Sequence, residues 1–387
     1  MLKKNIFIMY AIAFLQGLVF YSSIATLYRQ ASGVSVFQIT IIESISLVLC
    51  LIFELPWGVL ADKIGYKKTM MICCTLYFVS KIIFWQASSF MGFLAERILL
   101  SVVLSGMSGV DSSILYLSCD SQDAQRVFGV YNSLGTAGLL LASLIFTIFI
   151  GADYRFSAFL TVLTYGTAAI LTLFITEVKK PKASMEANAQ KQFFGILRNI
   201  FKNKYLLMFL VGAALLNETH QTFTVFLSQL QYVKGGMTDK MIGAAYILIT
   251  IAGLISAKSS KITEAIGARR LVNLCYALAV LSCVLLCVTS SAVASVIGIL
   301  ALRIAFSLFQ PMQSNIQNMQ VVSSDRATEL SVFSVIMNSV GVSTNLIFGA
   351  VADVNLSSAF LFGAVFCLLG FILVSCWAKG TKHRFLA

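Results

Sequence analysis

Long apolar runs, repeated from end to end and parted by short polar segments, constrain this chain more than any other feature. A helix that crosses a bilayer needs about 20 mostly apolar residues and must satisfy its backbone groups internally. Such runs occupy approximately residues 5–28, 37–61, 68–87, 90–117, 127–150, 154–176, 205–231, 237–257, 271–290, 292–318, 328–351 and 356–378, numbered here as spans one to twelve. Composition agrees: 58% of the 387 residues are hydrophobic and only 11% charged, against about 25% charged in soluble domains. An ordinary soluble enzyme, a disordered chain and a nucleic-acid binder are excluded. The expected fold class is an all-α polytopic membrane protein with twelve transmembrane helices. After Lys3 and Lys4 the first run continues for a full span without a cleavage pattern, so no removable leader is expected.

The formal net charge of +12 follows from topology. Lys and Arg near span ends are retained on the cytoplasmic side. With the N-terminus inside, the inner segments hold Lys3 and Lys4, then Lys63, Lys67 and Lys68, then Arg126. The central loop adds Lys179, Lys180, Lys182, Lys191, Arg198, Lys202 and Lys204. Lys258, Lys261, Arg269, Arg270, Arg326, Lys379, Lys382 and Arg384 follow, while Arg29, Arg155, Lys234 and Lys240 fall outside. Both termini are therefore expected in the cytoplasm, with the protein in the plasma membrane and its basic loops against anionic lipid. The nine cysteines are scattered, with neither zinc-site spacing nor a disulfide framework, and read as packing residues. G-x-x-x-x-G-K-[ST] and H-E-x-x-H are absent. No ATP motor on this chain, catalytic residue, metal or cofactor is expected.

The longest polar stretch divides the chain into residues 1–176, a cytoplasmic linker 177–204 and residues 205–387. In the linker, Phe193, Phe194, Leu197 and Phe201 share one side of a basic amphipathic segment, read as a tether suited to the headgroup region. An internal repeat supports the division. Ala95-Glu-Arg97-Ile-Leu-Leu-Ser101 recurs as Ala301-Leu-Arg303-Ile-Ala-Phe-Ser307, and Asn132-Ser133-Leu-Gly135 as Asn338-Ser339-Val-Gly341, both 206 residues on. Asp62-x-x-Gly65-Tyr-Lys67-Lys68 recurs as Glu264-x-x-Gly267-Ala-Arg269-Arg270. Two related six-helix bundles with a site near the bilayer midplane are a transporter architecture, with a pseudo-two-fold axis along the membrane normal.

Between spans two and three stands Gly58-Val-Leu60-Ala61-Asp62-Lys63-Ile-Gly65-Tyr66-Lys67-Lys68. This segment resembles G-x-L-A-D-x-x-G-R-[KR]-[KR], the signature loop of the major facilitator superfamily of secondary transporters. The resemblance extends over the whole chain through the two-half plan, with Tyr66 replacing a basic residue common in the family. It implies a cytoplasmic gate built from Gly58, Asp62, Gly65, Lys67 and Lys68, in which Asp62 and the basic residues bond to neighbouring helix ends. Phe53-Glu54-Leu-Pro56-Trp-Gly58 and Asp325-Arg326-Ala-Thr328-Glu-Leu-Ser331 resemble a bacterial branch containing drug and macrolide exporters. Span five has Gly129, Gly135 and Gly138 but no proline, so the Gly-Pro pattern of many drug/proton antiporters is missing and cannot set the direction.

Charges within spans are costly and usually face a bundle interior or an aqueous cavity. At 100° per residue, Arg97, Ser101, Ser108 and Asp111 align on span four, and Arg303, Ser307, Gln310, Ser314 and Gln317 on span ten, where Pro311 invites a kink. Span seven aligns Glu218, Gln221, Thr222 and Gln229, with His220 about 200° from Glu218. Glu43, Ser46, Cys50 and Glu54 align on span two, while Lys81 in span three is read as snorkelling or locally paired. The resemblance makes spans one, four, seven and ten the cavity wall. Candidate substrate and proton residues are Glu54, Arg97, Asp111, Glu218, Gln221, Arg303 and Gln310. Burial favours a neutral acid and a neighbouring Arg the anion, so alternating access can switch proton occupancy. The leading expectation is a monomeric transporter, powered by the proton gradient, that exports small amphipathic compounds or drugs. A nutrient or metabolite importer and a non-transporting membrane sensor are the alternatives, and acids in spans two, four and seven favour ion coupling over a sensor.

Overall fold

The computed structural model describes residues 2–107, 110–119, 124–151, 153–178, 198, 200–320 and 326–380. Every element among them is helical. Ten helical stretches are long and apolar enough to cross a membrane, and they coincide with spans one to five and eight to twelve. Spans six and seven are helical too, as Tyr154–Thr172 and as Lys204–Gln221 continued by a π-helical turn Thr222–Leu227 and Ser228–Lys234. Their sequences are more polar. Span seven carries Asn217-Glu218-Thr219-His220-Gln221 in an unbroken run.

Internal contacts gather the chain into two compact units, Met1–Ala183 with Thr238–Ile247 and Ser184–Met237 with Leu248–Ala387. In the first unit, Met9, Ile12, Trp57, Cys73, Val103 and Ile114 form a buried core. Thr238–Ile247 joins this unit beside Tyr154, whose hydroxyl lies 3.1 Å from both Asp239 carboxylate oxygens. Spans one and five approach closely. A Cβ on Gly17 would run into the Gly135 carbonyl, and one on Gly138 would stand 3.1 Å from the Gly17 Cα. Small residues permit such backbone contact in membranes. Gly17→Ala should therefore force the two helices apart and cost about 1–3 kcal/mol, read as a lower melting temperature in detergent; an unchanged melting temperature would contradict this packing.

Span one is interrupted. Helix Leu2–Gly17 ends, and a short 3-10 turn Ser22–Ile24 precedes helix Ala25–Ala31. Polar backbone freed inside a membrane must find partners within the protein, and span six supplies them. Thr161 Oγ1 accepts from the Phe20 N–H at 3.1 Å, Thr164 Oγ1 donates to the Leu18 carbonyl at 3.3 Å, and the Tyr165 hydroxyl donates to the Gln16 carbonyl at 2.7 Å.

In the second unit, span seven packs against span twelve through Gly212 and Gly370, where a Cβ on either would stand 2.8 Å from the other's carbonyl oxygen. Phe223 sits edge-on to Phe348 and Phe360. The π turn displaces the register of span seven, and Thr222 buries its hydroxyl against Asn345 Oδ1 at 2.7 Å. Span ten runs through Pro311 as one helix, Ala292–Gln320. Cys73, Cys74, Cys275, Cys283 and Cys367 are buried free thiols, in keeping with packing roles.

Candidate functional site

Each half contains a one-residue link between consecutive helices at its repeated loop. Gly65 joins Val36–Ile64 to Tyr66–Gln86 with φ 99° and ψ 153°, and Gly267 joins Ser259–Ile266 to Ala268–Val288 with φ 85° and ψ 141°. These left-handed φ values suit glycine alone, so the two loops of the sequence repeat share one backbone turn. At the first loop, Glu177 lies beyond span six and caps the helix start. Its Oε1 accepts from the N–H groups of Tyr66 at 3.0 Å and Lys67 at 3.3 Å. A carboxylate is well placed at a helix N-terminus, where unpaired N–H groups and the dipole converge. Glu177 escaped the sequence reading because its partner is 111 residues away. Lys67 is partly buried and Lys68 exposed, while the side chains of Glu54 and Asp62 and the surroundings of Gly58 lie outside the described residues, as do most of the linker and Asp325. Glu177→Gln should weaken this cap by about 1 kcal/mol; a melting curve in detergent that does not shift would remove the cap from the account.

The polar faces of spans two and four meet each other. Arg97 bonds Glu43, Ser101 Oγ donates to Ser46 Oγ at 2.8 Å, and Ser105 Oγ donates to the Cys50 carbonyl at 3.1 Å. Mutual pairing of polar groups removes the cost of leaving them unsatisfied in an apolar medium. Ser101 is fully buried, whereas the Arg97 side chain keeps 24% exposure. Arg29 is helical, buried and paired with the same Glu43 at 3.3 Å. Lys81 is also buried, 3.8 Å from Glu96 and 3.0 Å from the Tyr21 hydroxyl. Its ammonium faces the Tyr21, Tyr77 and Tyr165 rings at 5.1–5.7 Å, so local pairing describes it and snorkelling does not.

On span four, described as Phe90–Met107 and Val110–Ser118, Asp111 accepts from the Tyr131 hydroxyl of span five at 3.4 Å. In the second unit, Arg303 approaches His220 Nε2 at 3.3 Å, and the His220 ring stacks on Phe306 at 3.9 Å. Arg303 also packs on span eight, its Nη2 standing 2.5 Å from where a Cβ would sit on Gly253. His220 is buried, and an arginine donor at Nε2 requires the neutral imidazole. Glu218 faces elsewhere, as its 200° separation requires. A Cβ on Gly341 of span eleven would stand 2.8 Å from the Glu218 Cδ. Among the described residues, the Glu218 carboxylate has no ion-pair or hydrogen-bond partner. Gln221 and Gln310 are exposed, and Gln317 Nε2 lies 3.0 Å from the Met337 sulfur.

The two irregular helices occupy corresponding positions. Shifting the span-one interruption, residues 18–24, by the 206-residue repeat overlaps the π turn Thr222–Leu227 of span seven. Polarity patterns alone did not reveal them, since neither segment contains proline.

A model of the Major Facilitator Superfamily matches residues 6–318. An "Uncharacterized MFS-type transporter" of Methanocaldococcus jannaschii is 27% identical over 140 residues, 35% of this chain; the match spans only 36% of that relative's length. The nucleoside transporter NupG has a similar structure, with a TM-score of 0.82, 15% identity and coverage of 97% of this chain and 99% of that one. A D-xylose-proton symporter gives a TM-score of 0.74 and 12% identity over 99% and 98% of the two chains. At such identities these likenesses speak for the fold alone. The chain belongs to the Major Facilitator Superfamily, a family of membrane transporters and not of enzymes.

Proposed function

We propose that this protein is a proton-coupled secondary transporter that works by alternating access and exports small amphipathic compounds. The supporting observation is Glu218, a carboxyl group within a membrane span, set against Gly341 without a basic partner among the described residues. Such a group can exchange a proton when its solvation changes between states. Export is favoured by the two segments resembling the drug-efflux branch. In this reading the bundles are residues 1–176 and 205–387 joined by the linker 177–204, both termini are cytoplasmic, and the monomer sits in the plasma membrane. Arg97, Asp111, Gln221, Arg303 and Gln310, with Glu54, serve the cavity.

Flux into and out of proteoliposomes, with an imposed pH gradient and a broad compound panel, tests the reading. Counterflow of protons and compound supports it; flux in the same direction as protons would favour import by symport, and pH-independent flux would favour facilitated diffusion. The signature loop serves as the cytoplasmic gate. Asp62→Asn should then enrich inward-open protein in distance or cysteine-accessibility measurements, since a population moves only if one state loses more than the other. An unchanged distribution would count against Asp62.

A further inference from the structure

The first unit buries three basic groups and two acids in one connected cluster. Arg29 and Arg97 share Glu43, while Lys81 faces Glu96. A carboxylate, a hydroxyl and the faces of three tyrosines surround the Lys81 side-chain nitrogen. The cluster holds three basic side chains against two acidic ones, a formal surplus of one positive charge. Arg29, Glu43, Lys81 and Glu96 are each at most 6% exposed, and Arg97 is the member with a quarter of its side chain accessible. Among the described residues, the buried Nε atoms of Arg29 and Arg97 have no hydrogen-bond partner, nor has the buried Glu96 Oε2. A surplus charge and idle guanidinium donors in a membrane interior are costly unless an anion arrives.

We propose that Arg97 receives an anionic oxygen group, a carboxylate, sulfonate or phosphate, which neutralises this cluster. A guanidinium offers donors in a planar fork suited to such groups. This rests on the transport reading above and narrows its substrates to amphipathic anions; the same chemistry also fits a lipid headgroup.

The test is binding to the full-length protein without any proton gradient, so its outcome is independent of coupling. Thermal unfolding in detergent would be followed against hexanoate, benzoate and 2-naphthoate and against their uncharged amides at matched ionic strength. A second arm would compare nanodiscs of phosphatidylglycerol with nanodiscs of phosphatidylcholine. At least one carboxylate should bind tenfold or more tightly than its amide, or phosphatidylglycerol should stabilise selectively, and the first result points to substrate while the second points to lipid. Arg97→Gln should erase the preference and Arg97→Lys should retain part of it. Equal responses to anions and amides together with no lipid preference would overturn the proposal, as would an undiminished preference in Arg97→Gln. Should Arg97→Gln not fold, the wild-type comparison decides alone. A failed transport reading shows itself separately, as absent gradient-driven flux despite intact anion binding.

Discussion

Glu218→Gln should leave the protein folded and abolish proton-driven accumulation. The carboxylate has no ion pair or hydrogen bond among the described residues, so the isosteric amide strands no charged partner and keeps the contact over Gly341. For one-to-one exchange, a pH difference of one unit can sustain about a tenfold concentration ratio, since one unit corresponds to 1.36 kcal/mol. In the variant that ratio should fall to about one, while downhill flux and substrate counterflow persist. The measurement is active and downhill flux per folded transporter in liposomes, with and without the gradient. A variant that still accumulates compound tenfold would exclude Glu218 as the coupling acid and move attention to Asp111 and Glu54. Equal loss of all fluxes, together with poor folded yield, would mark Glu218 as a structural residue.

Glu43→Gln should strongly destabilise the first unit. Its carboxylate holds Arg29 and Arg97 together, and neutralising it leaves two guanidiniums competing for one amide oxygen. Removing one partner of a buried ion pair costs about 3–5 kcal/mol, chiefly from the charge left behind. The partial exposure of Arg97 moderates this, so a loss of about 3 kcal/mol is expected. It would appear as reduced monodisperse yield and a markedly lower melting temperature in detergent. Adding Arg97→Gln removes one stranded cation and should recover part of the loss, a coupling readable by a double-mutant cycle. If Glu43→Gln melts with the wild type, the pair contributes nothing net.

The sequence by itself carried the architecture, because a bilayer imposes length, apolarity and charge asymmetry on every span. Ten helices qualify as spans, and spans six and seven are helical where the apolar runs placed them. The repeat was equally legible. Gly65 and Gly267 fall in matching motifs, and only glycine readily takes the turn both adopt. Polar residues within spans were legible as important, since their cost in lipid makes them rare.

Their partners were decided by the tertiary structure. Periodicity sorts residues by face around one helix and says nothing about which helix stands opposite. The stripes of spans two and four were each read separately, yet they satisfy one another through Glu43–Arg97 and Ser46–Ser101. A count of charges gives Arg29 no partner, whereas packing pairs it with Glu43. His220 lies off the Glu218 line, and a different neighbour, Arg303 of span ten, lies on its own side. A regular period of 3.6 residues also assumes an unbroken helix. The interruption after Gly17 and the π turn after Gln221 shift that register, and they persist because groups distant in the chain, Thr161 and Asn345 among them, bond to residues within those segments.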